Sequence, residues 1–236
     1  PAFNERYKNY ILKEKDLSWN TYATAIKKLK FFLKWGIKME YHQEISWKKF
    51  SATEKEPTVI FLTEDELNSL YNWDFQSKRL NQVRDLFCFG CFTGLAYADI
   101  ETLKHDHIQD GTISKHRKKS KKRIDTPLPV PSLKILERYS GHYKPLPRIS
   151  NQKLNDYIRE CAQKAGINSP VVYLDYTGGK ITEKTAPKYT LLSSHNARKT
   201  FITLYYEDTK DYAGTKENAG ISQDKTMRRY IGRDRN

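Results

Sequence analysis

The segment from Arg79 to Phe92 constrains the fold of this chain more than any other stretch. It is strongly apolar with helical spacing, and the Thr93-Gly94 pair that follows it is typical of a helix end. A helix that is apolar on most of its faces is a buried helix. The segment is therefore predicted to be a core helix, and a hydrophobic content of 38% is enough to build a core around it.

This helix contains a Cys88-x-x-Cys91 pair, which has the spacing of a metal or redox motif. No second cysteine pair or histidine pair follows at the spacing of a zinc finger. Both thiols are therefore predicted to be small buried residues of the core. The third cysteine, Cys161, has no partner at a suitable spacing, and three such thiols fit a reducing cytosol.

The first 52 residues are predicted to form a separate helical domain. Ser18 is placed to cap a helix whose apolar residues recur near the helical period: Tyr22, Ile26, Leu29, Phe32, Leu33 and Trp35. The polar, proline-terminated stretch 51–57 then indicates a linker, placed at 53–60. The second domain is predicted to cover 61–236.

The second domain is predicted to be mainly helical with a small sheet. A capping box at Thr63–Glu66 opens one helix, and further helices are predicted at 132–139 and 150–165. Asp110-Gly111 indicates a tight hairpin turn, followed by strands at 112–118 and 123–129 and a later strand at 171–176. The fold class is therefore α+β, mainly helical, with a small antiparallel sheet and no βαβ repeat.

The formal net charge of +14 predicts a polyanionic partner, with nucleic acid favoured over an anionic membrane. No apolar run approaches the roughly 18 residues that a membrane helix needs, and no export leader is visible. The densest basic cluster lies in and around the turn between the two strands, where it suits a hairpin in a DNA groove better than a nuclear localisation signal. Its members are Lys115, Arg117, Lys118, Lys119, Lys121, Lys122 and Arg123. The first domain carries a second basic face that is either a DNA contact or a solvated surface: Lys27, Lys28, Lys30 and Lys34.

The residues with the clearest chemistry lie near the C-terminal end. His195 and Arg198 stand three apart, so on a helix they share a face. Tyr230 follows in a short segment beside Arg228 and Arg229. An imidazole, a guanidinium and a phenol together suit attack on a phosphodiester.

Four motifs in order resemble those of the tyrosine recombinases, the family of phage and transposon integrases. They are Thr93-Gly94-Leu95-Ala96-Tyr97, the lysine hairpin, His195-x-x-Arg198, and the stretch from Gly220 to Tyr230. The likeness covers nearly the whole chain. Residues 1–52 resemble the helical core-binding domain, and residues from about 58 onward resemble the catalytic domain.

The resemblance implies a role for each matching residue. Tyr230 matches the nucleophile, Arg198 and His195 the phosphate-binding pair, and Lys119 the hairpin general acid. Asp99 matches the acidic residue that follows the first arginine motif and supports the site. Such an enzyme forms a 3′-phosphotyrosyl link that conserves bond energy, so no cofactor and no metal are expected.

Two positions depart from the family pattern. The family usually has arginine where this chain has Ala96, and histidine or tryptophan where it has Ile221. Integrases of bacterial conjugative transposons are similar in lacking the first arginine, and the chain looks most like them. Lys104 or a hairpin lysine is a candidate substitute cation. An impaired DNA-binding relative and a type IB topoisomerase remain alternatives.

The resemblance also implies partners and a location. These are double-stranded DNA recombination sites, further copies of the chain in a dimer to tetramer on DNA, and an accessory DNA-bending protein. The implied location is the bacterial cytoplasm, in association with the nucleoid, and the implied process is integration and excision of a mobile element.

Overall fold

The computed structural model describes residues 2–118, 121 and 123–231, and the chain divides into two compact units. The helices are α1 (Ala2–Asn9), α2 (Trp19–Lys38), α3 (Glu64–Asn72), α4 (Lys78–Thr93), α5 (Tyr97–Glu101), α6 (Val130–Glu137), α7 (Asn151–Lys164), α8 (Ser194–Thr209), α9 (Tyr212–Asn218) and α10 (Asp224–Ile231). The strands are β1 (Ile108–Gln109), β2 (Thr112–His116), β3 (Arg123–Pro127), β4 (Pro170–Asp175) and β5 (Thr182–Pro187). These elements confirm the predicted α+β, mainly helical class.

The first unit comprises the chain up to Thr58 together with Val171–Thr185. Ser18 caps α2 as predicted, since its hydroxyl accepts a hydrogen bond of 3.2 Å from the backbone N–H of Thr21. Tyr22 and Ile26 are buried against residues of the preceding turn and of a short 3₁₀ turn further on. The buried cluster of this unit contains Ile11, Leu12, Tyr22, Ile26, Trp47 and Phe50.

The second half of α2 departs from its predicted packing. Phe32 and Trp35, expected on the buried face, are 61% and 42% exposed. The helix runs on beyond the small core that buries Tyr22 and Ile26. The two exposed rings stack on each other, with centroids 5.7 Å apart.

Residues 171–185, which the sequence placed in the second domain, belong to the first compact unit. The backbone N–H of Trp19 donates to the carbonyl of Tyr176 at 2.8 Å, and Ser18 forms a bridge with Thr177. β4 pairs with β5 in a two-stranded sheet whose side chains are largely exposed. A two-stranded ribbon has too little apolar surface to be stable alone, so it is held by its neighbours.

The second unit comprises Val59–Pro170 and the chain from Ala186 onward. α4 is its central helix, as predicted, and packs against α3, α6, α7 and α8. Cys88, Cys91 and Cys161 are buried and free, which confirms the prediction that they are core residues. Val59 and Ile60, placed in the linker from sequence, are buried in this unit.

A buried carboxylate ties α4 to the end of α6. Asp85 accepts hydrogen bonds from Arg84 at 2.9 Å, Arg138 at 2.5 Å and the Tyr139 hydroxyl at 2.8 Å. Burial beside this carboxylate raises the pKa of Tyr139. These hydrogen bonds compensate the negative charge of Asp85, whose burial would otherwise be unfavourable.

The sheet of the second unit is antiparallel in the order β1-β2-β3. The Asp110-Gly111 turn joins β1 to β2 as predicted, with positive φ at both residues. Ile113, Lys115 and Arg117 lie at alternate positions and are all buried. The inner face of β2 therefore continues beyond the strand to Arg117.

Candidate active site

The candidate site lies within the second unit, where four separate segments converge. They are the turn from Gly94 to Asp99, the end of β2, the first turns of α8, and the segment from Ala219 to Tyr230. Each carries one or more of the residues matched to the family motifs. Hydrogen bonds and electrostatic effects between these segments join them into one cluster.

Arg198 lies at the centre of this cluster, on α8. Its Nη1 donates to the carbonyl of Gly94 at 2.9 Å, and its Nη2 donates to the carbonyl of Ala219. Burial, together with the positive charge of Arg117, lowers the pKa of Arg198 to about 10, while Tyr230 and Asp99 act in the opposite direction. At neutral pH the guanidinium remains a cation in a partly desolvated position, where its charge acts strongly on nearby groups.

Arg117 lies beside Arg198. The sequence predicts that Arg117 belongs to the basic turn and contacts DNA from the surface, but in the structure it is only 7% exposed. Its Nη2 donates to the same carbonyl of Ala219 at 3.0 Å, and its Nη1 is 3.8 Å from Oδ2 of Asp99. Burial lowers the pKa of Arg117, and Asp99 partly offsets that effect.

Asp99 holds the hairpin against α5. Its Oδ1 accepts a 2.7 Å hydrogen bond from the backbone N–H of Lys118, while Oδ2 faces Arg117. Its backbone carbonyl accepts a 2.6 Å bond from the ammonium of Lys115, which also donates to Thr102. The side chain predicted to support the site therefore positions two consecutive residues of the hairpin.

His195 stands at the start of α8, one turn before Arg198. The residue is exposed, yet protein atoms crowd its imidazole. This desolvation, with the nearby charges of Lys199 and Arg198, lowers the pKa of His195 below its ordinary value. The imidazole is therefore neutral at pH 7, the form that accepts a proton.

Tyr230 lies on α10 and is only 8% exposed. It packs in a buried cluster with Met227 of its own helix, Ile202 of α8 and Ile221 of the preceding loop. Its phenol is close enough to Arg198 to affect the pKa of that guanidinium. The two residues predicted to carry the reaction are thus neighbours in the structure.

The two departures from the family pattern have different surroundings. Ala96 is a half-buried residue that immediately precedes α5 and offers no polar side chain. Ile221 is buried in one cluster with Met227 and Tyr230, and its side chain has no hydrogen-bond donor. Lys104, the suggested substitute cation, is exposed.

The remaining predicted site residues are basic. Lys119 and Lys122 lie outside the described residues. Lys118 is exposed and pairs with Glu101 at 2.9 Å, and Lys121 is exposed at the turn. In the first unit, Lys27, Lys28 and Lys34 are exposed on α2. The ammonium of Lys30 instead donates to the carbonyls of Phe50 and Lys48, at 2.7 and 3.3 Å.

The inward position of Arg117 could have been found from the sequence. Side chains alternate between the two faces of a strand, so Ile113 fixes the buried face and places Lys115 and Arg117 on it. The high density of charge in the turn concealed this alternation.

Neither a metal cluster nor a membrane span is found in the part of the chain that the structure describes. Among those residues, no group of three or more histidines, cysteines and carboxylates is arranged to hold a metal ion. None of the described helices combines the length and apolarity that crossing a membrane requires.

No family model matches this chain, and no curated protein matches it in sequence. Its structure is similar to several solved ones. A lambda integrase dimer bound to a COC′ core site matches with a TM-score of 0.72 at 15% identity, covering 98% of this chain and 79% of that one. The XerH recombinase bound to a palindromic difH substrate matches with a TM-score of 0.69 at 17% identity, covering 97% and 67%. The Tn1549 transposon integrase in complex with circular intermediate DNA matches with a TM-score of 0.64 at 15% identity, covering 97% and 79%.

Proposed function

We propose that this chain, which has the fold of the tyrosine recombinases, is a site-specific DNA recombinase that breaks and rejoins DNA strands through Tyr230. The integration and excision of a mobile element of the conjugative-transposon kind is the process that fits best. The observation that carries the proposal is the convergence of the Gly94 turn and the Ala219–Tyr230 segment on the partly buried guanidinium of Arg198. These segments are far apart in sequence, so the fold alone brings them together.

The chemistry follows from the residue types. The phenol oxygen of Tyr230 attacks the scissile phosphorus, an O–P bond forms, and the bond from phosphorus to the 5′ oxygen breaks. A free phenol has a pKa near 10, so its proton must be removed or its target activated. His195 is suited to take this proton because its lowered pKa keeps the imidazole neutral.

Arg198 stabilises the negative charge that gathers on the non-bridging oxygens of the phosphate. Its planar fork of N–H donors matches two oxygens of such a group. In the structure the same donors rest on the carbonyls of Gly94 and Ala219.

Lys119 completes the reaction as the group that protonates the departing 5′ oxygen. The supporting observation is that the hairpin is bound to the site at the residue before Lys119. The backbone N–H of Lys118 donates a hydrogen bond of 2.7 Å to the carboxylate of Asp99. The 5′ hydroxyl of a second strand then reverses the steps and releases Tyr230. The phosphodiester bond energy is retained in the covalent link throughout.

The partners follow from charge and from the similar structures. The net charge of +14 favours a polyanion, and the exposed lysines of α2 and of the hairpin supply phosphate contacts. The lambda integrase and XerH structures contain DNA sites, and lambda integrase occurs as a dimer and as a tetramer on a Holliday junction. The proposed chain acts likewise as a multimer on paired sites, with an accessory DNA-bending protein, in the bacterial cytoplasm at the nucleoid.

Covalent capture tests this function and identifies the DNA site in the same experiment. The protein is incubated with nicked duplexes of randomised sequence, and DNA that remains attached to protein in denaturant is sequenced. The expected result is one enriched site, attached through its 3′ phosphate to Tyr230. Tyr230→Phe should abolish the adduct, whereas Tyr206→Phe, a change at another tyrosine packed against the same cluster, should retain it.

A catalytically impaired DNA-binding relative is the second candidate, favoured by Ala96. It would bind DNA with a steep dependence on salt and yield no adduct under conditions of full binding. That outcome would overturn the proposed catalysis while leaving DNA binding intact. A type IB topoisomerase would instead relax supercoiled DNA without paired sites.

A further inference from the structure

We propose that Arg117 supplies the second guanidinium of the active site and thereby takes the place of the arginine that is missing at Ala96. This inference rests on the proposed function. It assigns Arg117 a direct contact with the scissile phosphate instead of the general DNA contact expected from its position in the basic turn.

The first support is the shared partner of the two arginines. Arg117 and Arg198 both donate to the carbonyl of Ala219, from the end of β2 and from α8 respectively. Two guanidiniums that share one carbonyl oxygen are close enough for a single phosphate to accept from both. Arg117 therefore reaches, from the hairpin, the same carbonyl oxygen that Arg198 contacts from α8.

The second support is the balance of charge. Two buried or partly buried guanidiniums face the single carboxylate of Asp99, whose nearer oxygen is 3.8 Å from Arg117. A buried cation without full compensation is costly, and a bound anion removes that cost. A phosphodiester carries one negative charge, which would neutralise this excess.

The third support is the unused hydrogen-bonding capacity of Arg117. Its Nε is buried and has no hydrogen-bond partner among the residues that the structure describes. Its Nη1 is too far from Asp99 for a hydrogen bond. Buried donors in folded proteins are nearly always satisfied, and this one is free to donate to the oxygen of a bound ligand.

The other cations of the same hairpin are already committed. The ammonium of Lys115 is buried between the carbonyl of Asp99 and the hydroxyl of Thr102, at 2.6 and 2.7 Å. Lys118 pairs with Glu101 at 2.9 Å. Of these three described cations, Arg117 alone combines burial, contact with the carbonyl that Arg198 uses, and an unfilled donor.

Arg117 also borders space that a ligand could enter. Arg117 lines an open cavity of about 330 Å³ together with residues of β3 and of the loop around Gly220. Gly220 is required beside it, because a Cβ at that position would lie 2.6 Å from Cζ of Arg117. The loop that leads to Tyr230 is therefore shaped to admit this side chain.

The first experiment moves the arginine. Cleavage rates are measured in single turnover on the duplex selected by covalent capture, with saturating protein. Arg117→Ala should lower the rate by about 10²–10³, the usual effect of losing one donor to a developing oxyanion. The double variant Ala96→Arg/Arg117→Ala should recover at least a tenth of the original rate. Arg79→Ala, which removes an exposed arginine of α4 outside the candidate site, should change the rate less than threefold.

The second experiment separates a phosphate contact from a structural role. The scissile phosphate is replaced by a methylphosphonate, in which a methyl group replaces one non-bridging oxygen and the negative charge is absent. If Arg117 neutralises that oxygen, Arg117→Ala should be no more than about threefold slower than the intact protein on this neutral substrate. If Arg117 only holds the loop, the same large defect should appear on both substrates.

The outcomes are distinguishable from failure of the proposed function. No adduct with the intact protein refutes the recombinase itself. An adduct that forms equally well with Arg117→Ala, or an equal defect on phosphate and methylphosphonate, refutes only the role of Arg117. Should Arg117→Ala fail to fold, Arg117→Lys, which keeps the charge but loses the fork, provides the same comparison of the two substrates.

Discussion

Replacement of Gly220 by alanine tests the contact between the Gly220 loop and Arg117 without any assay of activity. Gly220 has a φ of +58°, where a Cβ costs about 1–2 kcal/mol. The added Cβ would also lie 2.6 Å from Cζ of Arg117, so the guanidinium must leave the carbonyl of Ala219. Loss of a buried hydrogen bond from a charged group costs about 1.5–3 kcal/mol in addition. The expected total loss of unfolding free energy is about 2.5–5 kcal/mol.

Gly166 offers a matched control. Its φ is +78°, yet no atom lies within 4 Å of the position that a Cβ would occupy. Gly166→Ala should therefore cost only the backbone term of about 1–2 kcal/mol. Both variants are measured by equilibrium unfolding in denaturant, with near-ultraviolet circular dichroism as the signal.

A double-mutant cycle isolates the contact itself. In an Arg117→Ala background the obstruction is gone, so Gly220→Ala should fall to the cost of Gly166→Ala. Equal losses for Gly220→Ala and Gly166→Ala in the intact background would refute the proposed packing of Arg117 against the loop. So would a loss at Gly220 that persists undiminished after Arg117 is removed.

Three further predictions concern groups elsewhere in the second unit. By NMR, the pKa of His195 should lie below the ordinary value of about 6.5, and Lys199→Gln should raise that pKa because a neighbouring positive charge is removed. Since the unfolded chain binds this proton more readily, His195 should lower the stability of the protein as the pH falls below about 6.5. A pKa at or above that value would contradict the structure. The three cysteines should react with a thiol reagent in denaturant but only very slowly in the native protein, because burial raises their pKa, and one fast native thiol would contradict this. Asp85→Asn should lower the unfolding free energy by about 3–5 kcal/mol because it leaves the buried guanidinium of Arg84 unpaired. Asp125→Asn, on the exposed hairpin, should leave the unfolding free energy nearly unchanged.

Local sequence rules predicted the elements whose causes are local. The apolar run of α4, the capping box at Thr63–Glu66 and the Asp110-Gly111 turn each depend on neighbouring residues, and all are present in the structure. β5 was missed because its sequence is polar and its side chains are mostly exposed, so no alternation of apolar residues marks it. The exposure of Phe32 and Trp35 depends on where the core of the first unit ends, which the helical period does not encode.

In the candidate site, too, the features with local causes could be predicted and those that depend on distant contacts could not. His195 and Arg198 were paired from their spacing on one helix, but the neighbourhood of Tyr230 and Arg198 was implied only by the resemblance to a family. Arg117 was assigned to the surface because a run of charges usually faces solvent. The alternation along β2 predicts the face on which Arg117 lies, but its partners Asp99 and Ala219 are distant in sequence and could not be predicted from it.

The burial of Tyr230 has a consequence for the timing of the reaction. If this phenol is the nucleophile, it must withdraw from Met227, Ile202 and Ile221 before it can meet a phosphate. Exposing such a side chain costs about 1.5–3 kcal/mol, so the competent conformer is a minority of roughly one part in ten to one part in a hundred. An isolated protomer on DNA is then mostly in the conformer that buries Tyr230. The apparent affinity for DNA in the reactive conformer is reduced by the same fraction. Under the proposed function, interactions that form only on correct assembly would supply that free energy, so a lone protomer would rarely cut DNA.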